Sequence, residues 1–256
     1  MLSRHIAIAA ATAALFLAGC SSNNMPAAQN ISGNWQFSTS SNAATLPQLD
    51  GSLAGTTAAV TGTLHTPSTT ACIPPQTLVT VTGAADMNNN LTLTSQPFAS
   101  GSVLTITGML AANGQSLTNA AYTASGGSCA LAISPLVAAQ YLPISGTYTG
   151  NFISSGFSLP VTATLTQTSQ PDANGVFHIQ GSANFSDPCV TNPVVTDSTV
   201  TGNTVSTTYT AQTTSGPATI VATGTFNNDA SVLTITNWTL SGACGSDTGT
   251  GVLTMQ

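Results

Sequence analysis

The heptapeptide ISGNWQF, residues 31–37, returns in altered form as ISGTYTG at residues 144–150. In the first copy Ile31, Gly33, Trp35 and Phe37 fall on alternate positions; in the second, Ile144, Gly146, Tyr148, Gly150 and Phe152 do the same. Alternation is the period of a half-buried β-strand, whose successive side chains point to opposite faces. Each copy therefore reads as a first strand that turns an aromatic ring and a small residue toward one core. The cysteines keep step with the motif. Cys72 and Cys129 follow the first copy, and Cys189 and Cys244 follow the second at nearly the same offsets. A period on the order of a hundred residues is too long for a solenoid repeat and right for a small domain. The chain reads as a tandem duplication.

The rest of each copy carries the same two-residue signal. LVTVTG from Leu78, NLTLTS from Asn90, VTATLTQT from Val161 and SVLTITNWTL from Ser231 alternate apolar residues with Thr, Ser and Asn. β-Branched Val and Thr suit a pleated surface that is buried on one side. Clusters of turn formers separate the runs: DMNNN at Asp86, ANGQ at Ala112, PDANG at Pro171 and FNNDAS at Phe226. No segment beyond the N-terminal twenty residues holds a helical period, and a hydrophobic fraction of 41% argues against disorder. The expected fold is all-β: two tandem homologous antiparallel β-meander domains, small barrels or sandwiches, each with one disulfide. SVLTIT occurs at both Ser102 and Ser231 but at different distances from the next cysteine, so it marks strand chemistry and not the repeat register. The expected boundaries are 31–133 for the first domain, 134–143 (SPLVAAQYLP) for a linker, and 144–256 for the second domain.

Charge is almost absent. Arg4 is the single cation of the Lys and Arg type, and all seven acidic residues are Asp. Beyond Cys20 only His65 and His178 can carry positive charge in a side chain. Nucleic acid, phosphate and anionic headgroups are held mainly through Lys and Arg, so no nucleic-acid partner is expected. No Gly-rich phosphate loop compensates, and no cofactor is expected. Stability must rest on apolar burial, backbone hydrogen bonds and disulfides.

At the N-terminus, Arg4 and His5 precede an apolar run too short to span a bilayer, which reads as a secretory h-region. The run ends in Leu17-Ala18-Gly19-Cys20, which resembles the lipobox of bacterial lipoproteins. That resemblance implies a signal peptide at 1–19 and diacylglyceryl transfer to the Cys20 thiol. It also implies cleavage before Cys20 and a lipid-anchored tether at 20–30, with the membrane as a partner. Ser21 at the next position resembles the signal for the outer membrane.

Four cysteines in an exported chain imply disulfides, and duplication selects Cys72 with Cys129 and Cys189 with Cys244. The spacing invites comparison with immunoglobulin domains. These, however, place a Tyr two residues before the second cysteine, where this chain has Gly127 and Gly242. A Gly-x-Trp at the head of about eight strands is instead similar to calycin barrels such as lipocalins and avidins. That resemblance covers the first strand and the strand count, and the Arg that lipocalins pack across the Trp is missing here.

Catalytic signals are sparse. Asp247-Thr248-Gly249 matches the aspartic protease tripeptide, but it reads as a turn and has no second copy. Asp86, Asn88 and Asn90 begin like a calcium loop, yet Leu91 replaces the required Gly and no Glu closes it. A polar hairpin turn is expected there, and no metal. His65 and His178 fall on polar strand faces and read as solvated. Trp238 falls opposite Leu233 and Ile235 on a Thr-lined face, and Tyr122 holds the corresponding place in the first repeat. These two are the candidate binding residues, for polysaccharide or an envelope protein; the competing reading is a bulge at Asn237 that turns Trp238 inward. The expected function is a non-catalytic envelope lipoprotein acting as a surface binding, adhesion or structural module. A carrier of a small apolar ligand inside a barrel comes second and a hydrolase third. A filled core would favour the surface role, and a lumen lined by Ala and Gly the carrier.

Overall fold

Alternation puts one face of every run in a core, and the chain satisfies that demand by closing its strands eight at a time. The computed structural model describes residues 28–39, 48–66, 73, 77–127, 131–156, 158–187 and 189–256. The first barrel contains β1 (Gly33–Thr39), β2 (Leu49–Thr56), β3 (Ala59–His65), β4 (Leu78–Ala85), β5 (Asn90–Ser95), β6 (Val103–Leu110), β7 (Ser116–Ser125) and β8 (Leu131–Tyr141). Each strand pairs antiparallel with the next, and β8 returns to β1 with Asn34 opposite Tyr141 and Phe37 opposite Ala138. The second barrel contains β9 (Ser145–Ser154), β10 (Ser158–Gln167), β11 (Ile179–Phe185), β12 (Val194–Thr201), β13 (Thr204–Thr213), β14 (Gly216–Phe226), β15 (Val232–Gly242) and β16 (Asp247–Met255). It closes where β16 meets β9, with Gly251 opposite Phe152. Proteins with open sheets protect their edges with Lys and other charges; this chain has no Lys and few other charges, and closure removes the edges instead.

The duplication is visible in the topology. The third strand of each barrel, β3 or β11, leads to the first cysteine of its repeat, and the seventh, β7 or β15, leads to the second. SVLTIT falls in or beside β6 in one barrel and β15 in the other, so the two copies occupy different places in the meander. Cys189 and Cys244 are bonded, with their Cα atoms 5.8 Å apart. Cys20, Cys72 and Cys129 lie outside the described residues.

The expected linker requires correction. Residues 134–141 form most of β8, with Leu136 and Ala138 inside the barrel and Val137 outside. Pro135, the residue that most suggests a linker, sits opposite Ala121 between two register irregularities of β7, where the missing N–H is tolerated. Only Leu142, Pro143 and Ile144 separate β8 from β9.

The cores are filled by large side chains. Trp35 and Tyr148, the aromatic members of the repeated motif, are both fully buried. The Trp35 Nε1–H donates to the Ile31 carbonyl at 2.8 Å, and the Tyr148 hydroxyl to the Ala230 carbonyl at 2.8 Å, so each ring seats its polar end on the backbone. Barrel walls must bend sharply, and Gly150 marks one such place. A Cβ there would lie 1.9 Å from the Val252 carbonyl oxygen on the neighbouring strand.

Strand β1 is buried on both faces. Trp35 and Phe37 point into the first core, while Asn34 and Gln36, 2% and 7% exposed, point at the second barrel. Asn34 Nδ2 donates to the Gly202 carbonyl at 2.6 Å and Asn34 Oδ1 accepts from the Gly202 amide at 2.7 Å. Gln36 Nε2 donates to Asn203 Oδ1 at 2.9 Å. Gly202 is the first residue of the two-residue β12–β13 turn and has φ +52°, a region Gly enters without strain. A Cβ on it would also meet the Asp50 Cβ at 2.9 Å. Close by, Tyr141 packs edge-on to Phe226 at 5.5 Å, and the Leu142 amide donates to the Asn228 carbonyl at 2.8 Å.

Candidate functional site

The two residues marked by the sequence for binding are interior. Trp238 is 2% exposed and Tyr122 1%. In β15 the register runs from Ile235 opposite Gly251 to Trp238 opposite Gly249, so Thr236 and Asn237 both face outward and alternation resumes one residue late. The bulge carries Trp238 into the core. There its ring stacks on Phe152 at 5.5 Å and its Nε1–H donates to the Thr250 carbonyl at 3.0 Å. Phe152 in turn meets Phe185 at 5.4 Å, and Phe185 meets Tyr209 at 5.9 Å. Four aromatic rings thus run in contact through the second barrel.

Strand β7 carries the same device. Leu117 opposes Ala138 but Ala121 opposes Pro135, so one extra residue is accommodated, and Asn119 takes φ +51°. The shared local signal is a Thr-Asn dipeptide, Thr118-Asn119 and Thr236-Asn237, and at Asn119 the residue type suits the left-handed backbone. Tyr122 ends with its hydroxyl buried and, among the described residues, unpartnered, and burial pushes that hydroxyl's pKa up.

Of the two histidines, His65 departs from expectation. His65 is buried, and its Nε2 lies 3.8 Å from Asp50 Oδ1. The Asp50 side chain is 3% exposed; Oδ2 accepts from Gln48 Nε2 at 3.1 Å, while Oδ1 has no hydrogen-bond partner among the described residues. Burial raises the Asp50 pKa, and the opposing pull of Gln48 and His65 is smaller. His178 is half-exposed, with Nε2 3.3 Å from Asp172 Oδ2 and Nδ1 against the Ser198 carbonyl. At Asp172 burial works against the charge, but the Val176 amide, His178 and the Asn174 amide together hold the carboxyl below its ordinary value. Both pairs adjoin the barrel junction. The Asp172 loop projects Gly175 onto β2 and β3, where a Cβ would meet the Thr63 carbonyl at 2.4 Å, and Asn174 and Val176 share a hollow of about 310 Å³ with His65.

The remaining motifs are a strand start and a turn. Asp247-Thr248-Gly249 opens strand β16 and is not the turn expected; Asp247 Oδ1 accepts from the Thr248 amide. Asp86 caps the β4–β5 turn, accepting from the Asn88 and Asn90 amides through Oδ1 and from Asn90 Nδ2 through Oδ2. The Asn90 side chain, more than any other group, holds the Asp86 carboxyl below its ordinary value. This is the polar turn expected. Among the described residues no group of three or more His, Cys, Asp or Glu is placed to hold a metal ion, and no helix is long and apolar enough to cross a membrane.

The outer faces carry the most regular chemistry. Thr61, Thr82, Thr94, Thr105 and Thr123 oppose one another in a single row across β3 to β7, and Thr92 opposes Thr107 in the next row. On the second barrel, Ile153, Val252, Thr234, Thr236 and Thr250 line a shallow groove of about 480 Å³ over β9, β16 and β15. No protein-family model, no curated protein and no solved structure matches this chain.

Proposed function

We propose that this chain is a non-catalytic lipoprotein of the cell envelope, anchored through Cys20, whose two barrels act together as a surface-binding module for neutral polysaccharide. The observation that carries this reading is where the polar chemistry lies. The run of packed aromatic rings through the second barrel leaves little room for a carried ligand. The outward rows instead repeat one side chain, a methyl beside a hydroxyl, at the spacings of a β-sheet: roughly 4.8 Å between strands and 6.6 Å along them. Such a surface offers hydrogen bonds and apolar contact to an uncharged polymer and, with no Lys or Arg beyond Cys20, little to an anionic one. The lipobox resemblance at Leu17 to Cys20 supports the envelope and outer-membrane placement.

Two measurements test this. Palmitate labelling of the expressed full chain should be lost in Cys20→Ala. Retention of the exported mature protein on neutral envelope polysaccharide should be lost in the double variant Thr61→Lys/Thr105→Lys, whose two sites are not cross-strand neighbours, with an unchanged denaturation midpoint. Capture of an envelope protein in place of polysaccharide would replace the polymer reading with an adhesion partner. A small apolar molecule retained in native mass spectrometry would replace the surface role with a carrier.

A further inference from the structure

The barrels meet over a buried carboxylate, in a chain almost devoid of cations. Asp50 packs against the β12–β13 turn at Gly202 and, among the described residues, leaves Oδ1 unpartnered, with His65 Nε2 at 3.8 Å as its one positively chargeable neighbour. That separation is too long for a direct hydrogen bond and short enough for strong coupling of charge. The other titratable groups that the described residues bring to this junction are few. They are Asp172 and His178, which pair with each other, and the Tyr141 hydroxyl, which donates to Gln36 Oε1 at 3.3 Å.

We propose that Asp50 and His65 share one proton that holds the two barrels docked, and that the junction loosens as pH rises and the proton leaves. With one proton on the pair, the junction contains either a neutral acid beside a neutral imidazole or an ion pair; both are neutral overall. With none, a bare carboxylate sits out of water against Gly202, and burying an unpaired charge is strongly unfavourable. Separation of the barrels lets water reach the carboxylate. Docking therefore takes up a proton, and the docked fraction falls by at most about tenfold per pH unit for one proton. Burial of Asp50 acts with the same sign. A folded value above the ordinary one gives stability that is complete at acid pH and declines as pH climbs through the raised value. Asp172 acts with the opposite sign, its carboxyl being held low, so its contribution is lost only on stronger acidification.

The test is hydrogen exchange on the intact, disulfide-bonded mature chain between about pH 5 and about pH 8, with rates divided by the intrinsic rate at each pH. The junction amides of Gly202 and Leu142 should lose at least about tenfold in protection across this range. The β5 and β6 core amides of Leu93 and Ile106 should not follow. Asp50→Asn should keep both junction amides protected at either pH. His65→Gln, an independent variant should Asp50→Asn fail to fold, should move the loss to lower pH. Flat protection of Gly202 and Leu142 in the parent would overturn the proposal. So would a parental slope in Asp50→Asn, or a loss in His65→Gln at the parental pH.

Discussion

Trp238→Ala is expected to destabilise the second barrel by about 4 kcal/mol. The indole is 2% exposed, and a buried Trp removes up to about 250 Å² from water, an upper bound near 6 kcal/mol at about 25 cal/mol per Å². Large-to-small replacements of buried aromatic residues fall in the range of about 3–5 kcal/mol. Two local features place this site within that range: the stack on Phe152 at 5.5 Å and the Thr250 carbonyl, which loses its indole donor. Trp238→Phe keeps the stacked ring and loses the N–H, so about 1–2 kcal/mol is expected. Denaturant unfolding of both variants measures the two losses. Because the only other Trp is Trp35 in the first barrel, its fluorescence reports whether that barrel unfolds with its neighbour. Stability of Trp238→Ala within about 0.5 kcal/mol of the parent would refute the interior placement. Loss of partner binding in Trp238→Ala at unchanged stability would restore the solvent-facing reading.

Removing the Cys189–Cys244 bridge, which spans 55 residues of sequence, should lower stability by up to about 4 kcal/mol on the chain-entropy model, measured on the double Ala variant. Denatured mature protein should resist trypsin, since no Lys or Arg follows Cys20; efficient cleavage would show that processing does not occur before Cys20. Acid should weaken the β4–β5 turn. The Asp86 carboxyl is held low by Asn90, so its contribution is present above the ordinary carboxylate value and lost as pH falls through the lowered one. In a denaturation series against pH, Asp86→Ala should therefore lower stability at neutral pH and flatten the acid limb, converging on the parent in acid.

Much of the architecture was legible because it rests on local rules. Alternation in NLTLTS becomes β5, with Leu91 and Leu93 inside and Thr92 and Thr94 outside. The echo of residues 31–37 at residues 144–150 marks the first strand of each repeat, and the repeat register pairs Cys189 with Cys244. Local rules failed where closure imposed its own demand. A barrel needs a last strand to meet its first, so SPLVAAQY became β8 despite its Pro and its linker-like composition. For Trp238, strict alternation and a bulge at Asn237 gave opposite faces, and the bulge is what the fold adopts; a bulge at Thr118-Asn119 turns Tyr122 inward as well.

The sequence by itself determined the strand chemistry, the duplication and the near absence of charge, since each is a property of neighbouring residues or of composition. Only the tertiary structure decided what the polar residues of β1 and β2 are for. Asn34, Gln36 and Asp50 occupy outward positions that alternation assigns to water, and their burial comes from a second barrel more than a hundred residues away in the chain. Whether an outward residue meets solvent or another domain depends on how two closed surfaces dock. No periodicity within a single strand encodes that.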